Sequence, residues 1–268
     1  MALPDITQLI DESYAAEKEP KTRQYIGASG IGGKCDAELA FSHRGFPGSP
    51  PDPQLKRIFK AGHRIEDWVI ADMKKAGVNV MERYQLTGYQ YAYNCCGGHV
   101  VGHADGVVEF DDADPALLEV KSMNLDRFNK YKKNGVKYSH PNYYSQVQLM
   151  MGMGGFKHSL FIAYCKNNSR YHHEYIEFDE FAYLALIVRA EMVMRGEAKR
   201  CATDMSDWRC KGCFKFDACW TGLKPEPDCV NCKNAEALTA GGWTCHAGHV
   251  YGELCDDYHL YNPRYRDD

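Results

Sequence analysis

His103-Ala-Asp105-Gly-Val-Val108, followed by Leu118-Glu119-Val120-Lys121-Ser122, decides the fold of this chain. Both segments have the apolar content and the length of strands. Side chains alternate faces along a strand, so Glu119 and Lys121 share one side while Val120 turns into the core. A preceding strand that carries Asp105 at its start brings a second carboxylate beside Glu119. Two carboxylates and a peptide carbonyl, here that of Val120, form a hard oxygen site suited to Mg²⁺ or Mn²⁺. An ammonium beside them can orient an attacking water and stabilise negative charge on a phosphate. Taken alone, Glu-x-Lys is equally the pattern of a solvent-facing pair on a strand, so its surroundings decide.

Upstream, residues 52–77 read as one long helix with Ile58, Ile65, Val69 and Met73 at helical spacing and Gly77 as its stop. Before it come a short amphipathic helix over 5–17, a Gly-rich stretch over 27–33 and a helix from about 35 to 45. Residues 78–86, 89–93, 99–110 and 117–121 read as strands of a meander. Downstream, 126–134 and 141–153 read as helices, 159–165 and 171–178 as strands, and 179–195 as a last helix. This order predicts an α/β fold with a central mixed β-sheet flanked by helices. At 268 residues and 44% hydrophobic, the chain has enough apolar material for a full core. From Cys201 onward the periodicity fades and cysteines replace it, as in a tail stabilised by metal.

The formal net charge of −4 does not advertise a nucleic-acid partner, because proteins that grip DNA over a wide face are usually basic. A local basic path is present, however. Arg127, Lys130, Tyr131, Lys132, Lys133 and Lys137 interleave cations with aromatics, which suits phosphate contact plus base stacking and also suits a solvated helix face. Lys56, Arg57 and Lys60 form a second candidate patch. No apolar run reaches the roughly 18–20 residues that would cross a bilayer. Met1-Ala-Leu-Pro-Asp5 has neither a basic start nor an apolar stretch behind it, so no secretion signal is expected and a cytoplasmic location is.

In such a compartment thiols stay reduced, and closely spaced cysteines favour metal ligation over disulfides. Cys210-x2-Cys213-x5-Cys219 is a three-ligand array of the kind that takes a fourth ligand from elsewhere. An iron–sulfur cluster and Zn²⁺ are the two candidates for it. Cys229-x2-Cys232 followed by Cys245 predicts a tetrahedral Zn²⁺ site, with His249 or Cys255 as its fourth ligand. Cys95, Cys96, Cys165 and Cys201 read as ordinary strand or core residues.

With these residues in view, the chain resembles the PD-(D/E)XK nuclease superfamily over roughly residues 20–195, in particular its RecB-like and phage recombination exonuclease branches. Asp105-Gly106 and Glu119-Val120-Lys121 match the two central elements. Gly62-His63-Arg64-Ile65-Glu66 matches the upstream Gly-x3-Glu helix. Gln146 in Tyr144-Ser-Gln146-Val-Gln148 matches the downstream Gln, although Met150 stands where that family often has Tyr. The resemblance implies a restriction-endonuclease-like core that hydrolyses DNA phosphodiester bonds. In it Asp105, Glu119, Glu66 and the Val120 carbonyl would hold Mg²⁺ or Mn²⁺, with His63 a further candidate. Lys121 would position water, and Gln146 rather than Gln148 would support the site.

An exonuclease for single- or double-stranded DNA is implied first, serving recombination, replication or repair alongside a recombination or replication partner protein. An endonuclease of the same superfamily, a non-catalytic DNA-binding scaffold and an RNA substrate are the alternatives. The location would be host cytoplasm if the chain is phage-encoded. The iron–sulfur nucleases of CRISPR adaptation and the AddB family are similar in their cysteines. That likeness implies Cys35 as the distant ligand which, with Cys210, Cys213 and Cys219, holds a [4Fe-4S] cluster. Asp36-Ala37 follows Cys35 where those relatives commonly have Pro-Arg. The implied division is a nuclease core with its N-terminal helical part over 1–199, a cysteine segment closing on Cys35 over 200–222, and a small zinc module over 223–268.

Overall fold

The computed structural model describes residues 3–18 and 22–263. In chain order, its N-terminal part contains α1 (Ile6–Ala15), β1 (Ile26–Gly27), α2 (Asp36–His43) and α3 (Pro53–Lys75). The strand-rich part follows with β2 (Asn79–Met81), β3 (Ala92–Cys95), β4 (Val100–His103), β5 (Gly106–Phe110) and β6 (Ala113–Met123). Then come α4 (Leu125–Ser139), α5 (Pro141–Gly154), β7 (His158–Cys165), β8 (Tyr171–Glu177) and α6 (Glu180–Met194). The tail adds a short hairpin of β9 (Ala235–Ala237) and β10 (Trp243–Cys245).

The long helix forms where its sequence signals stand. The Asp52 side chain accepts the Leu55 N–H at 2.7 Å, and Pro53 occupies the first turn, where no amide is needed. Gly77 at φ 85° takes the left-handed position just past its end. Ile65, Val69, Ile70 and Met73 are buried as a stripe, whereas Ile58 at the N-terminal end stays half exposed. Lys56, Arg57 and Lys60 are occupied by α1: Lys56 donates to the Tyr14 carbonyl, Arg57 pairs with Asp11 at 2.5 Å, and Lys60 lies over the Tyr14 ring. They clamp α1 to α3.

The central sheet has the order β2-β5-β6-β7-β8, antiparallel except for the parallel β6–β7 pair. The parallel pair requires a crossover, and α4 and α5 provide it. β6 is buried on both faces. Leu118 and Val120 pack with Ile65, Val69, Val108 and Leu160 on the α3 side, while Leu117 and Met123 join Phe128, Tyr131, Val147 and Phe161 on the α4–α5 side. The chain is therefore α/β with a central mixed sheet flanked by helices.

The expected meander is a correction. Residues 99–110, read as one strand, break at Ala104–Asp105, and β3 and β4 leave for a second sheet of order β1-β4-β3. Ala104 is fully buried and its N–H bonds to the Tyr91 carbonyl, which fixes the joint. Val–Gly–His and Gly–Val–Val have the same strand propensity, so local pattern does not reveal a change of sheet.

The tail packs on the core as well as gathering cysteines. Arg44, at the end of α2 and 1% exposed, donates to the carbonyls of Cys232 and Ala235 at 2.8 Å each and lies 4.0 Å over the Tyr261 ring. Trp243 stacks on His43 at 4.7 Å, and His99 contacts the Gly242 carbonyl at 2.9 Å. Ala198, Ala237 and Tyr261 belong to the main core cluster. No described helix is long and apolar enough to cross a membrane.

Candidate active site and cysteine centres

The break between β4 and β5 places Asp105 where the two sheets part. β5 pairs with β6 from Gly106 opposite Leu118, so beyond Leu118 the β6 edge has no strand beside it. The Val120 N–H at that edge donates to Asp105 Oδ2 at 2.7 Å instead. In a strand the N–H and C=O of one residue point to the same side. The Val120 carbonyl therefore faces the same open edge as the Asp105 carboxylate.

On the α4–α5 side, Glu119 and Lys121 project together as their alternation requires. Glu119 is 1% exposed and forms an ion pair with Lys121 Nζ, while Lys121 keeps 22% of its side chain in solvent. Gln146 Nε2 donates to Glu119 Oε1 at 2.8 Å from α5. Gln148 faces elsewhere: it donates to the Glu177 carbonyl and accepts the Asp179 N–H. Close approach of α5 to β4 makes this possible. Gly102 has no Cβ, and one there would overlap the Met150 sulfur and stand 2.8 Å from Ala28 Cβ. Met150 is one helical turn after Gln146, so its seat on β4 sets the height of the amide above Glu119.

Glu66 comes from α3 and lines the same cleft as Asp105. His63, one turn earlier, is exposed and 3.8 Å from Glu66. Burial raises all three acids: Asp105 is pushed up to about 6 and Glu119 to about 7, and Glu66 shifts the same way. Lys121 counters the rise for each, and the neighbouring carboxylates add to it. Burial acts to lower the Lys121 ammonium, but Glu119 and Asp105 outweigh it and hold it above its ordinary value. Three acids, Glu119 buried and Asp105 and Glu66 half-buried, around one cation leave an excess of negative charge, and their oxygens are hard donors of the sort Mg²⁺ and Mn²⁺ take. Among the described residues no three His, Cys, Asp or Glu side chains stand as a ready-made site for an ion. The fit accordingly rests on donor chemistry and placement.

Asp105 and Glu66 open on a cleft of about 430 Å³ that Gln146, His63 and His103 also line, with Arg23 and Arg83 as its cations. Neither arginine belongs to a motif or a basic run, which is why sequence reading missed them. The basic helix α4 lies on the Lys121 side. Arg127 donates to His140 and to the Tyr143 hydroxyl, whose ring is 5.1 Å from Lys121 Nζ. Lys130, Lys132 and Lys133 are exposed, and Lys137 is 3.5 Å from Asp179. Tyr131 is a correction. It is fully buried, donates to the Phe161 carbonyl at 3.2 Å and packs edge-on against Phe161, so it cannot stack on a base. Phe128 and Tyr131 are one turn apart and fill the core face of α4.

The cysteines gather in two places. Cys35, Cys210, Cys213 and Cys219 line one small cavity between α2 and the following tail segment, and Cys201, read as an ordinary residue, lines it too. Cys229, Cys232, Cys245, His249 and Cys255 line a second. His249 is engaged by Asp257 at 2.7 Å. Cys95, Cys96 and Cys165 stand apart from both, in or against the main core cluster.

No protein-family model matches the chain, and no curated protein does. Among solved structures it is similar to an alkaline exonuclease from Laribacter hongkongensis, with 19% identity and a TM-score of 0.49 over 68% of this chain and 89% of that one. The same exonuclease in complex with dAMP gives 18%, 0.48, 68% and 89%. The protein SSO0001 gives 14% identity and a TM-score of 0.44 over 81% of this chain and 95% of that one. At these identities and scores no residue or activity is carried across.

Proposed function

We propose that the chain is a metal-dependent DNA nuclease that hydrolyses phosphodiester bonds, with Asp105, Glu119, Glu66 and the Val120 carbonyl as ligands of Mg²⁺ or Mn²⁺. The observation that carries this reading is the convergence of Asp105, Glu66 and the Glu119–Lys121 pair from three separate segments, with Asp105 and Glu66 lining one cleft. A divalent ion held there supplies Lewis-acid polarisation of a phosphoryl oxygen and of the attacking water. Lys121 stays protonated and offers N–H donors to the water or to a non-bridging oxygen. Gln146 fixes the Glu119 carboxylate through Oε1, and the Val120 N–H fixes Asp105, so neither has to be ordered when substrate arrives. Arg127, Lys130, Lys132, Lys133 and Lys137 would follow the phosphates outside the site, and His63 is a further ligand candidate at the cleft wall.

The family likeness of these motifs favours an exonuclease in DNA recombination, replication or repair, working in the cytoplasm with a partner protein of that machinery. An endonuclease keeps the chemistry and changes where cutting starts. The same reading assigns residues 1–199 to the nuclease core, 200–222 to a cysteine segment and 223–268 to a zinc module. Cys35, Cys210, Cys213 and Cys219 would hold a [4Fe-4S] cluster, or Zn²⁺ in its place. Cys229, Cys232 and Cys245 would hold Zn²⁺ with His249 or Cys255.

The test is digestion of end-labelled linear and circular DNA, single- and double-stranded, by wild type and Asp105→Asn with Mg²⁺, Mn²⁺ or EDTA. Metal-dependent loss of linear DNA by wild type alone is expected. Resistance of circles identifies an exonuclease, and their cleavage an endonuclease. Metal-independent binding with no cleavage of any substrate would turn the reading to a DNA-binding scaffold.

A further inference from the structure

Five thiols, not four, face the cavity beside α2, and one of them has no place in the cysteine pattern. Cys210, Cys213 and Cys219 come from one tight run of turns, in which the Cys213 N–H bonds to the Cys210 carbonyl and the Cys219 N–H to the Lys215 carbonyl. Cys35 approaches from the N-cap of α2, where its side chain makes no capping bond. Cys201 arrives on the strand of chain leaving α6. That chain is fixed independently of the thiols, because the Ala37 N–H of α2 donates to the Lys199 carbonyl at 3.2 Å. The Cys201 N–H then donates to the Cys35 sulfur at 3.4 Å. Cys201 is thereby held beside Cys35, and its thiol interacts with both Cys35 and Cys210.

A four-sulfur centre that takes Cys210, Cys213 and Cys219 has one position left, and both Cys35 and Cys201 line the same cavity beside them. We propose that Cys201 is a second occupant of that position, exchanging with Cys35 as the fourth thiolate ligand. The inference rests on the reading that this cavity holds a metal centre, either the iron–sulfur cluster or Zn²⁺. The exchange changes no oxidation state. One metal–sulfur bond to Cys35 breaks as one to Cys201 forms, and the proton lost by the Cys201 thiol is taken up by the released Cys35 thiolate. Its consequence is a tail that remains anchored to α2 when either sulfur is lost to alkylation or oxidation, which no arrangement of four thiols provides.

The experiment has two arms on the full chain, purified anaerobically. In the first, metal content and the visible spectrum are compared for wild type, Cys35→Ser, Cys201→Ser, the double variant and Cys210→Ser. Each of the first two variants is expected to keep its metal, Cys35→Ser with a shifted spectrum, while the double variant and Cys210→Ser lose it. A Cys35→Ser protein as empty as the double variant, or an empty Cys201→Ser protein, would overturn the proposal. In the second arm, which needs no variant, native wild type is alkylated with iodoacetamide and digested for mass spectrometry. One label per metal centre, divided between the Cys35 and Cys201 peptides, is expected. A label confined to Cys201 overturns the exchange and leaves the metal centre standing. Wild type free of metal, with all five thiols alkylated, fails the metal centre itself and the exchange with it.

Discussion

The acidic centre gathers carboxylates and the cysteine-rich tail gathers thiols, by different physical means. Around Asp105 and Glu119 the walls are packed: Val120 and Leu118 bury one face of β6, Gln146 and Val147 cover the other, and hydrogen bonds hold each carboxylate. The tail has helical turns of three and five residues, one short hairpin and thiols around cavities. It joins the core through Arg44, Trp243 and Tyr261 and through Lys215, which donates to the Phe46 carbonyl. A site whose positions are set by core packing survives loss of its ion. A segment with this little apolar area would need the metal proposed for its thiols, besides its docking contacts, to stay folded.

The largest test of that contrast is at the acidic centre. Lys121→Ala is expected to lower DNA hydrolysis by about 10³-fold while its melting temperature stays near that of wild type. Equal digestion by the variant would remove Lys121 from the chemistry, and a collapsed fold would show that packing alone does not hold the site. Arg44→Met probes the other side. It leaves the Cys232 and Ala235 carbonyls buried without their donor, so a loss of about 3 kcal/mol is expected. Protease should then cut within residues 223–263 while the central sheet stays protected. Stripping thiol-bound metal with a strong chelator should open the same region in wild type, and an uncut tail in both experiments would erase the distinction between the two regions.

The junction between them should also respond to acid. Burial first, then His99 and Arg44, lower His43 from 6.5 to about 3. The folded chain therefore keeps this ring neutral while the unfolded chain protonates it below pH 6.5. Stability present above pH 6.5 is lost as pH falls toward 3, by at most about 1.4 kcal/mol per pH unit. Denaturant melts at pH 7.5 and 5 should show that loss, and His43→Gln should flatten it. The smallest effect is expected at Tyr131→Phe, which gives up one buried hydrogen bond worth about 1 kcal/mol. DNA affinity should be unchanged by it, whereas Lys132→Ala with Lys133→Ala should weaken binding and reduce its salt dependence. If Tyr131→Phe weakened DNA binding instead, α4 would have to expose its core face to substrate.

Legibility followed the physics of each feature. α3 was readable because a cap, a Pro and a stop bracket a 3.6-residue apolar stripe. Glu119 and Lys121 were readable because strand alternation alone puts them on one face. Tyr131 misled because a tyrosine among lysines satisfies both an aromatic core and a basic surface, and only its spacing from Phe128 tells them apart. Arg23, Arg83 and Cys201 carried no local signal, since each becomes meaningful through residues far away in sequence.

By itself, the sequence determined the α/β class, the carboxylate–lysine element and the presence of two cysteine groups. These follow from periodicity, spacing and residue chemistry, which act over a few residues at a time. Only the tertiary structure decided that the chain changes sheets at Ala104–Asp105, that Glu66 reaches the same edge from α3, that Arg44 docks the tail, and that a fifth thiol faces the cavity of Cys35. Each of these depends on backbone segments meeting across long stretches of chain, where packing and hydrogen-bond satisfaction select among arrangements that local pattern leaves equal.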